Sequence, residues 1–134
     1  MILVDTNIFL ELLLNQKRAD ECEAFLERVS KGEEEAVVSH FSVHGIESFL
    51  GEGPALTNFL KGLATSKGLS IHESGLSEEI AVSMLAQSIN RDFDDSLQYF
   101  LAKKLGAQSI VSFDGHLDGL DVERTEPVDH LPRK

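Results

Sequence analysis

Apolar residues along this chain alternate between short continuous runs and stripes spaced by three and four, and the two patterns predict strands and helices in turn. Met1-Ile-Leu-Val4 is a β-branched apolar run that reads as a buried strand, closed by a loop at Asp5-Thr6-Asn7. Residues 8–14 then take a helical pattern. Ala19 to Val29 places Cys22, Phe25, Leu26 and Val29 on one face with charges between them, the mark of an amphipathic helix ended by Lys31-Gly32. Ala36 to Ser39 is a second strand, and Phe41, Val43, Ile46, Phe49 and Leu50 predict a helix over His40 to Leu50 that carries Glu47.

Gly51 to Pro54 breaks that helix. Helices follow at Pro54 to Leu63 and at Ser77 to Ile89, with a short strand at Leu69 to Ile71 between them. Ser77 reads as an N-cap, with Glu78 and Glu79 in the first turn where the helix dipole favours negative charge. Leu97, Phe100, Leu101 and Leu105 form a stripe on a helix over Asp94 to Leu105, and Gly106 stands where a C-terminal glycine cap belongs. Gln108 to Phe113 is a strand ending at Asp114, and Val122 to Arg124 is an edge strand before a polar tail.

Alternating strands and helices imply an α/β fold with a mostly parallel sheet and right-handed crossovers. In such sheets ligands bind outside the carboxyl ends of the strands, where strand order reverses. Asp5 and Asp114 both sit at such ends, so they are expected to face one another.

Length and charge narrow the picture. A chain of 134 residues is expected to form a single domain, 1–134, with a genuine core. No apolar run is long enough to cross a bilayer, and a cytoplasmic protein without membrane contact is the expectation. One cysteine, Cys22, has no partner for a disulfide or a thiolate cluster and reads as a small buried hydrophobe. A formal net charge of −11 argues against nucleic-acid binding by broad phosphate neutralisation, so chemistry on RNA has to be metal-mediated.

The acids supply candidates for that chemistry. Hard divalent cations take oxygen ligands, and Asp5, Asp95, Asp114 and Glu47 are separated acids that a parallel sheet could gather at one edge. Glu47 lies among Ile46, Phe49 and Leu50, where a carboxylate needs a partner. Clustered carboxylates repel unless a cation neutralises them. Helix caps and solvated acids are an equally available account of the same residues, above all of Asp94 and Asp95.

Val4-Asp5-Thr6-Asn7, Glu47 on the helix after the second strand, Asp92-Phe93-Asp94-Asp95-Ser96 and Ile110-Val111-Ser112-Phe113-Asp114 resemble, in order and spacing, the motifs of PIN-domain nucleases. Each motif alone is weak; the four together span nearly the whole chain. The resemblance implies a PIN-like three-layer α/β/α fold with a central, mostly parallel sheet of four to five short strands. It also implies Mg²⁺ or Mn²⁺ dependence and cleavage of single-stranded RNA, often as the toxin half of a VapC-type toxin–antitoxin pair. By the same resemblance Asp5, Glu47, Asp95 and Asp114 ligate the metal directly or through water, and Asn7 and Ser112 orient ligands or substrate. Asp92 and Asp94 are peripheral members. A small antitoxin protein and a homodimer built through helices are the implied partners, and the acidic chain favours a basic partner segment. Ser112 and Ser96 depart from the threonine and alanine common in the family, both tolerable changes.

Other constellations carry less. His40 and His44 lack the glutamate of a zinc-protease motif, and ring stacking or capping accounts for their spacing. Asp114 to Gly119 resembles the start of a calcium loop, but His116 replaces an oxygen ligand and Thr125 the bidentate glutamate. No glycine-rich phosphate loop is present. Arg91, Lys103, Lys104, Lys61 and Lys67 read as solvated surface charge, outside the site. Two other functions remain open: a non-catalytic or regulatory PIN-like binding module, and a haloacid-dehalogenase-like phosphatase. The latter's second aspartate is Asn7 here.

Overall fold

Five short strands form, β1 (Ile2–Val4), β2 (Ala36–Ser39), β3 (Leu69–His72), β4 (Ser109–Val111) and β5 (Glu123–Thr125), the last of them polar. They form one sheet of order β3-β2-β1-β4-β5, and every neighbouring pair is parallel. This computed structural model describes residues 1–133; Lys134, the last residue of the expected domain, lies outside the described residues. Six helices connect the strands: α1 (Thr6–Leu13), α2 (Ala19–Ser30), α3 (His40–Leu50), α4 (Pro54–Thr65), α5 (Leu76–Ile89) and α6 (Phe93–Leu105).

The three central strands, β1, β2 and β4, are buried on both faces, which is why they read as continuous apolar runs and not as alternating ones, whereas the edge strands β3 and β5 are partly exposed. Side chains still alternate, and the alternation separates two cores. Ile2, Val4, Ala36, Val38 and Val111 face Ile8, Phe25, Val29, Val43 and Ile46, from α1, α2 and α3. Leu3, Val37 and Ile110 face Val82 of α5 and Leu97 and Leu101 of α6. The result is the three-layer α/β/α arrangement, with Cys22 a buried free thiol within the first core.

Strand order locates the functional end. From central β1 the chain moves outward through β2 to β3, then returns to the other side of β1 to lay down β4 and β5. The order therefore reverses between β1 and β4, whose carboxyl ends deliver Asp5 and the segment Ser112 to Asp114. The Asp5 amide donates to the Val111 carbonyl at 3.0 Å, holding these two strand ends side by side.

Several boundaries differ from those the pattern predicts, each for a local reason. Helix α1 starts at Thr6, not residue 8, because the extended Asp5 caps it: its Oδ1 accepts the Thr6 amide at 2.8 Å. Helix α6 starts at Phe93 because the Asp92 carboxylate accepts the Asp95 amide at 2.8 Å. Helix α5 starts at Leu76 with Gly75 as its cap residue, so Ser77 is not the N-cap; Ser74 instead donates its hydroxyl to Glu78. Regular pairing of β4 stops at Val111, and β5 is shifted by one residue. The expected polar tail folds back as a 3₁₀ turn (Pro127–His130), where Pro127 is buried and His130 packs on Phe25 with ring centroids 5.6 Å apart.

Candidate functional site

Four aspartates meet at the switch point, each delivered by a helix start or a strand end. Asp5 follows β1, Asp94 and Asp95 occupy the first turn of α6, and Asp114 follows β4 and caps a 3₁₀ turn (Gly115–Leu117) by accepting the His116 amide at 2.9 Å. Asp5 and Asp95 are both buried, each only 4% exposed. Asp5 Oδ2 accepts the Ser112 hydroxyl at 2.6 Å and the Asn7 amide at 3.2 Å. Ser112 Oγ in turn accepts the Asp114 amide at 2.9 Å and the Asn7 side chain at 3.1 Å. One hydroxyl thus ties both strand-end acids together.

Electrostatics set these acids apart from solvated carboxylates. Burial pushes the Asp5 carboxyl up to about 6; the Ser112 hydrogen bond opposes this, and the charges of Asp94 and Asp114 add to it. Burial also raises Asp95, and the neighbouring Asp114, Asp92 and Asp5 raise it further, Asp114 both by charge and by hydrogen bonding. Asp94 is raised by burial and by Asp92 and Asp114, against a hydrogen bond from Gln98. Among the described residues no lysine or arginine forms an ion pair with Asp5, Asp92, Asp94, Asp95 or Asp114. The nearest cationic candidate is His116, whose Nδ1 lies 3.3 Å from Asp114 Oδ1 and 3.9 Å from Asp95 Oδ2. One ligand atom each from Asp95, Asp114 and His116 fall within 4.8 Å of one another. Oxygen-rich, partly buried and short of positive charge, this donor set fits a divalent cation.

Glu47 is placed differently from the aspartates. Its carboxylate, about one-third exposed, receives the His44 ring at 2.6 Å, so the partner its apolar stripe demands is that histidine. His44 stacks on His40 with ring centroids 4.1 Å apart, the arrangement their spacing predicts. Asp92 is the residue that caps α6, and its charge also acts on Asp94 and Asp95.

Beneath the aspartates lies a polar network that the sequence pattern does not single out. Ser42 Oγ sits 2.7 Å from Thr6 Oγ1, 3.0 Å from Ser39 Oγ and 3.0 Å from Gln98 Nε2, and that amide also reaches Asp94 Oδ1 at 3.2 Å. It couples the starts of α1 and α3 to α6. The signal in the sequence is Gln98, a polar residue beside Leu97 and one turn after Asp94. Arg91 is a second departure from expectation. It lines an open cleft of about 450 Å³ with Asp92, Asp95, Gly115, His116 and Asp118. There it donates to the main-chain oxygens of His116 at 2.8 Å and Ile89 at 3.1 Å, not to a carboxylate.

A family model described as PIN domain matches residues 2–123. No curated protein matches in sequence. Solved structures of similar fold include Mycobacterium tuberculosis VapC20, a sarcin–ricin loop cleaving toxin, at a TM-score of 0.72 and 16% identity, over 95% of this chain and 100% of that one. A toxin–antitoxin complex from Klebsiella pneumoniae is similar at a TM-score of 0.66 and 18% identity, over 95% of this chain and 98% of that one. FitAB bound to an IR36 DNA fragment follows at 0.64 and 18%, over 99% of each chain. At these identities the structural likeness concerns the fold, whereas the family model covers β1 to β4, the aspartates and the helices between them. This chain belongs to the PIN-domain family.

Proposed function

We propose that residues 1–134 act as one domain, a divalent-metal-dependent endoribonuclease that hydrolyses phosphodiester bonds of single-stranded RNA. The observation that carries this reading is the buried pair Asp5 and Asp95, raised in pKa and without a lysine or arginine partner among the described residues. Asp5, Asp95 and Asp114 are the proposed ligands of Mg²⁺ or Mn²⁺; Glu47 belongs to the set on the family resemblance alone. A cation held there would supply positive charge at the scissile phosphate and would lower the pKa of the attacking water. The chain supplies the rest. Ser112 and Asn7 hold Asp5 in one orientation, the α6 start presents Asp95, and a carboxylate of the cluster accepts the proton lost by water. The phosphatase alternative is disfavoured by Asn7, which has no acidic proton to give and is occupied by Asp5 and Ser112.

A toxin role, with a small antitoxin protein as partner, is the biological setting proposed. A second surface supports it: an apolar groove of about 630 Å³ between α1, α2 and α4, lined by Phe9, Leu12, Leu26, Phe59 and Leu63 with Glu23 and Glu27 among its walls. It suits an amphipathic segment with basic flanks. For the expected homodimer we propose the exposed stripe Leu76, Ile80 and Met84 on α5. Among the described residues no helix is long and apolar enough to cross a membrane, and the cytoplasm is the proposed location.

The test is incubation of the purified protein with single-stranded and structured RNAs in Mn²⁺, Mg²⁺ or EDTA, beside Asp5→Asn. Cleavage is expected only with metal, and Asp5→Asn is expected to lower it by about 100-fold or more with unchanged circular dichroism. Metal binding without cleavage of any RNA would favour the regulatory binding module; no metal binding would remove the proposed site.

A further inference from the structure

We propose that His116 is a nitrogen ligand of the cation site, giving a mixed imidazole–carboxylate centre that prefers Mn²⁺ or Co²⁺ to Mg²⁺. This rests on the metal-dependent reading above and deepens it.

Four other histidines approach acids, and each faces one: His40 with Glu73, His44 with Glu47, His72 with Glu78 and His130 with Glu34. His116 alone faces two, Asp114 and Asp95, and its Nδ1 and their oxygens lie within ligand spacing of one another. An ordinary ion pair needs one partner; three donor atoms converging at 4.8 Å or less leave a common point for a cation among them.

The backbone that carries the ring is held from three sides. Asp114 caps the turn through the His116 amide, Arg91 Nε donates to the His116 carbonyl at 2.8 Å, and Leu117 is buried in the second core. Arg91 also donates to the Asp118 carbonyl at 3.4 Å, so its guanidinium fastens both sides of the turn to the α5–α6 junction. The ring itself is 80% exposed. Arg91 gives its donors to main-chain oxygens of His116, Asp118 and Ile89 and to none of the acids.

Chemistry then separates the cations. Mg²⁺ demands oxygen ligands in near-ideal octahedral geometry, while affinity for an imidazole nitrogen rises along the series from Mn²⁺ to Co²⁺ and beyond. An all-carboxylate cluster has no such lever.

The experiment uses the full chain without an affinity tag, at pH 8, as wild type and His116→Ala. Titration calorimetry with Co²⁺, Mn²⁺ and Mg²⁺ is paired with pulsed electron paramagnetic resonance of the Mn²⁺-loaded protein, which reads nitrogen bonded to the metal. Wild type is expected to show a directly coordinated nitrogen that His116→Ala lacks. The variant is expected to lose about tenfold or more in Co²⁺ affinity with little change for Mg²⁺. Absence of nitrogen coupling in the wild type overturns the inference, as does a variant in which Co²⁺ and Mg²⁺ affinities move together or not at all. In either case the metal-centre reading survives as long as Mg²⁺ or Mn²⁺ binds. If the wild type binds none of the three cations, both readings fall.

Discussion

Two acid clusters lie along the carboxyl edge of the sheet, and they are treated in opposite ways. At the end of β3, Glu78 is largely buried, yet it accepts from Lys104, from the Ser74 hydroxyl at 2.7 Å and from the His72 ring at 2.8 Å. Burial would raise its carboxyl, but these partners outweigh it and hold the group down at about 2. At the ends of β1 and β4, Asp5 and Asp95 are withdrawn from water further still, and the charged groups nearest them are more acids. A lysine on α6 thus serves an acid at the end of β3, while among the described residues none serves the acids at the ends of β1 and β4. The difference leaves the switch-point acids without a neutralising side chain, the condition that the proposed cation site requires.

Three measurements sharpen or break that contrast. The largest effect is expected from adding a cation. Asp5 titrates near 6 in the folded chain and near 4 when unfolded. Between those values the folded state keeps a proton that the unfolded state has lost, so metal-free stability falls as pH rises from about 4 to about 6 and stays lower above. Cation and proton compete for the same oxygens. Mn²⁺ at about 100 times its Kd is expected to stabilise by roughly 2.7 kcal/mol at pH 8 and by clearly less at pH 5, read from thermal melts. Equal stabilisation at both pH values would contradict the site.

Next in size, Asp95→Asn is expected to stabilise the metal-free protein at pH 8 by on the order of 1–2 kcal/mol, because it removes a buried charge set against other charges. Denaturant unfolding measures it, and a loss of stability would mean that Asp95 is already neutralised. The smallest effect belongs to the satisfied cluster. Glu78→Gln is expected to cost about 1 kcal/mol, the hydrogen bonds to a charged acceptor being only partly replaced. A gain there would dissolve the contrast between the two clusters.

Much of the architecture was legible because strands buried on both faces leave unbroken apolar runs, and helices leave stripes. Asp5 and Asp114 could be placed at strand ends for the same reason. Legibility stopped where side chains override periodicity. Asp5 and Asp92 each lengthen a helix by capping it, and Ser77, a good cap by composition, loses to Gly75 because Glu78 is fixed by three partners from outside its own first turn. Arg91 looked like surface charge because its partners are carbonyl oxygens, which no residue pattern announces. Glu47 showed its need for a partner but not which one, since His44 and the aspartates were both available. Ser42 and Gln98 lie 56 residues apart, a pairing only the folded topology creates.

The hydrogen bond from Ser112 to Asp5 spans 107 residues of chain. During synthesis, Asp5 waits through the laying down of five helices and two strands before α6, and through α6 and β4 after that, until the hydroxyl that orients it exists. The cluster is thus a late event in the life of each molecule: until then the acids are separate charges, and whatever chemistry they perform together is confined to molecules made past residue 114.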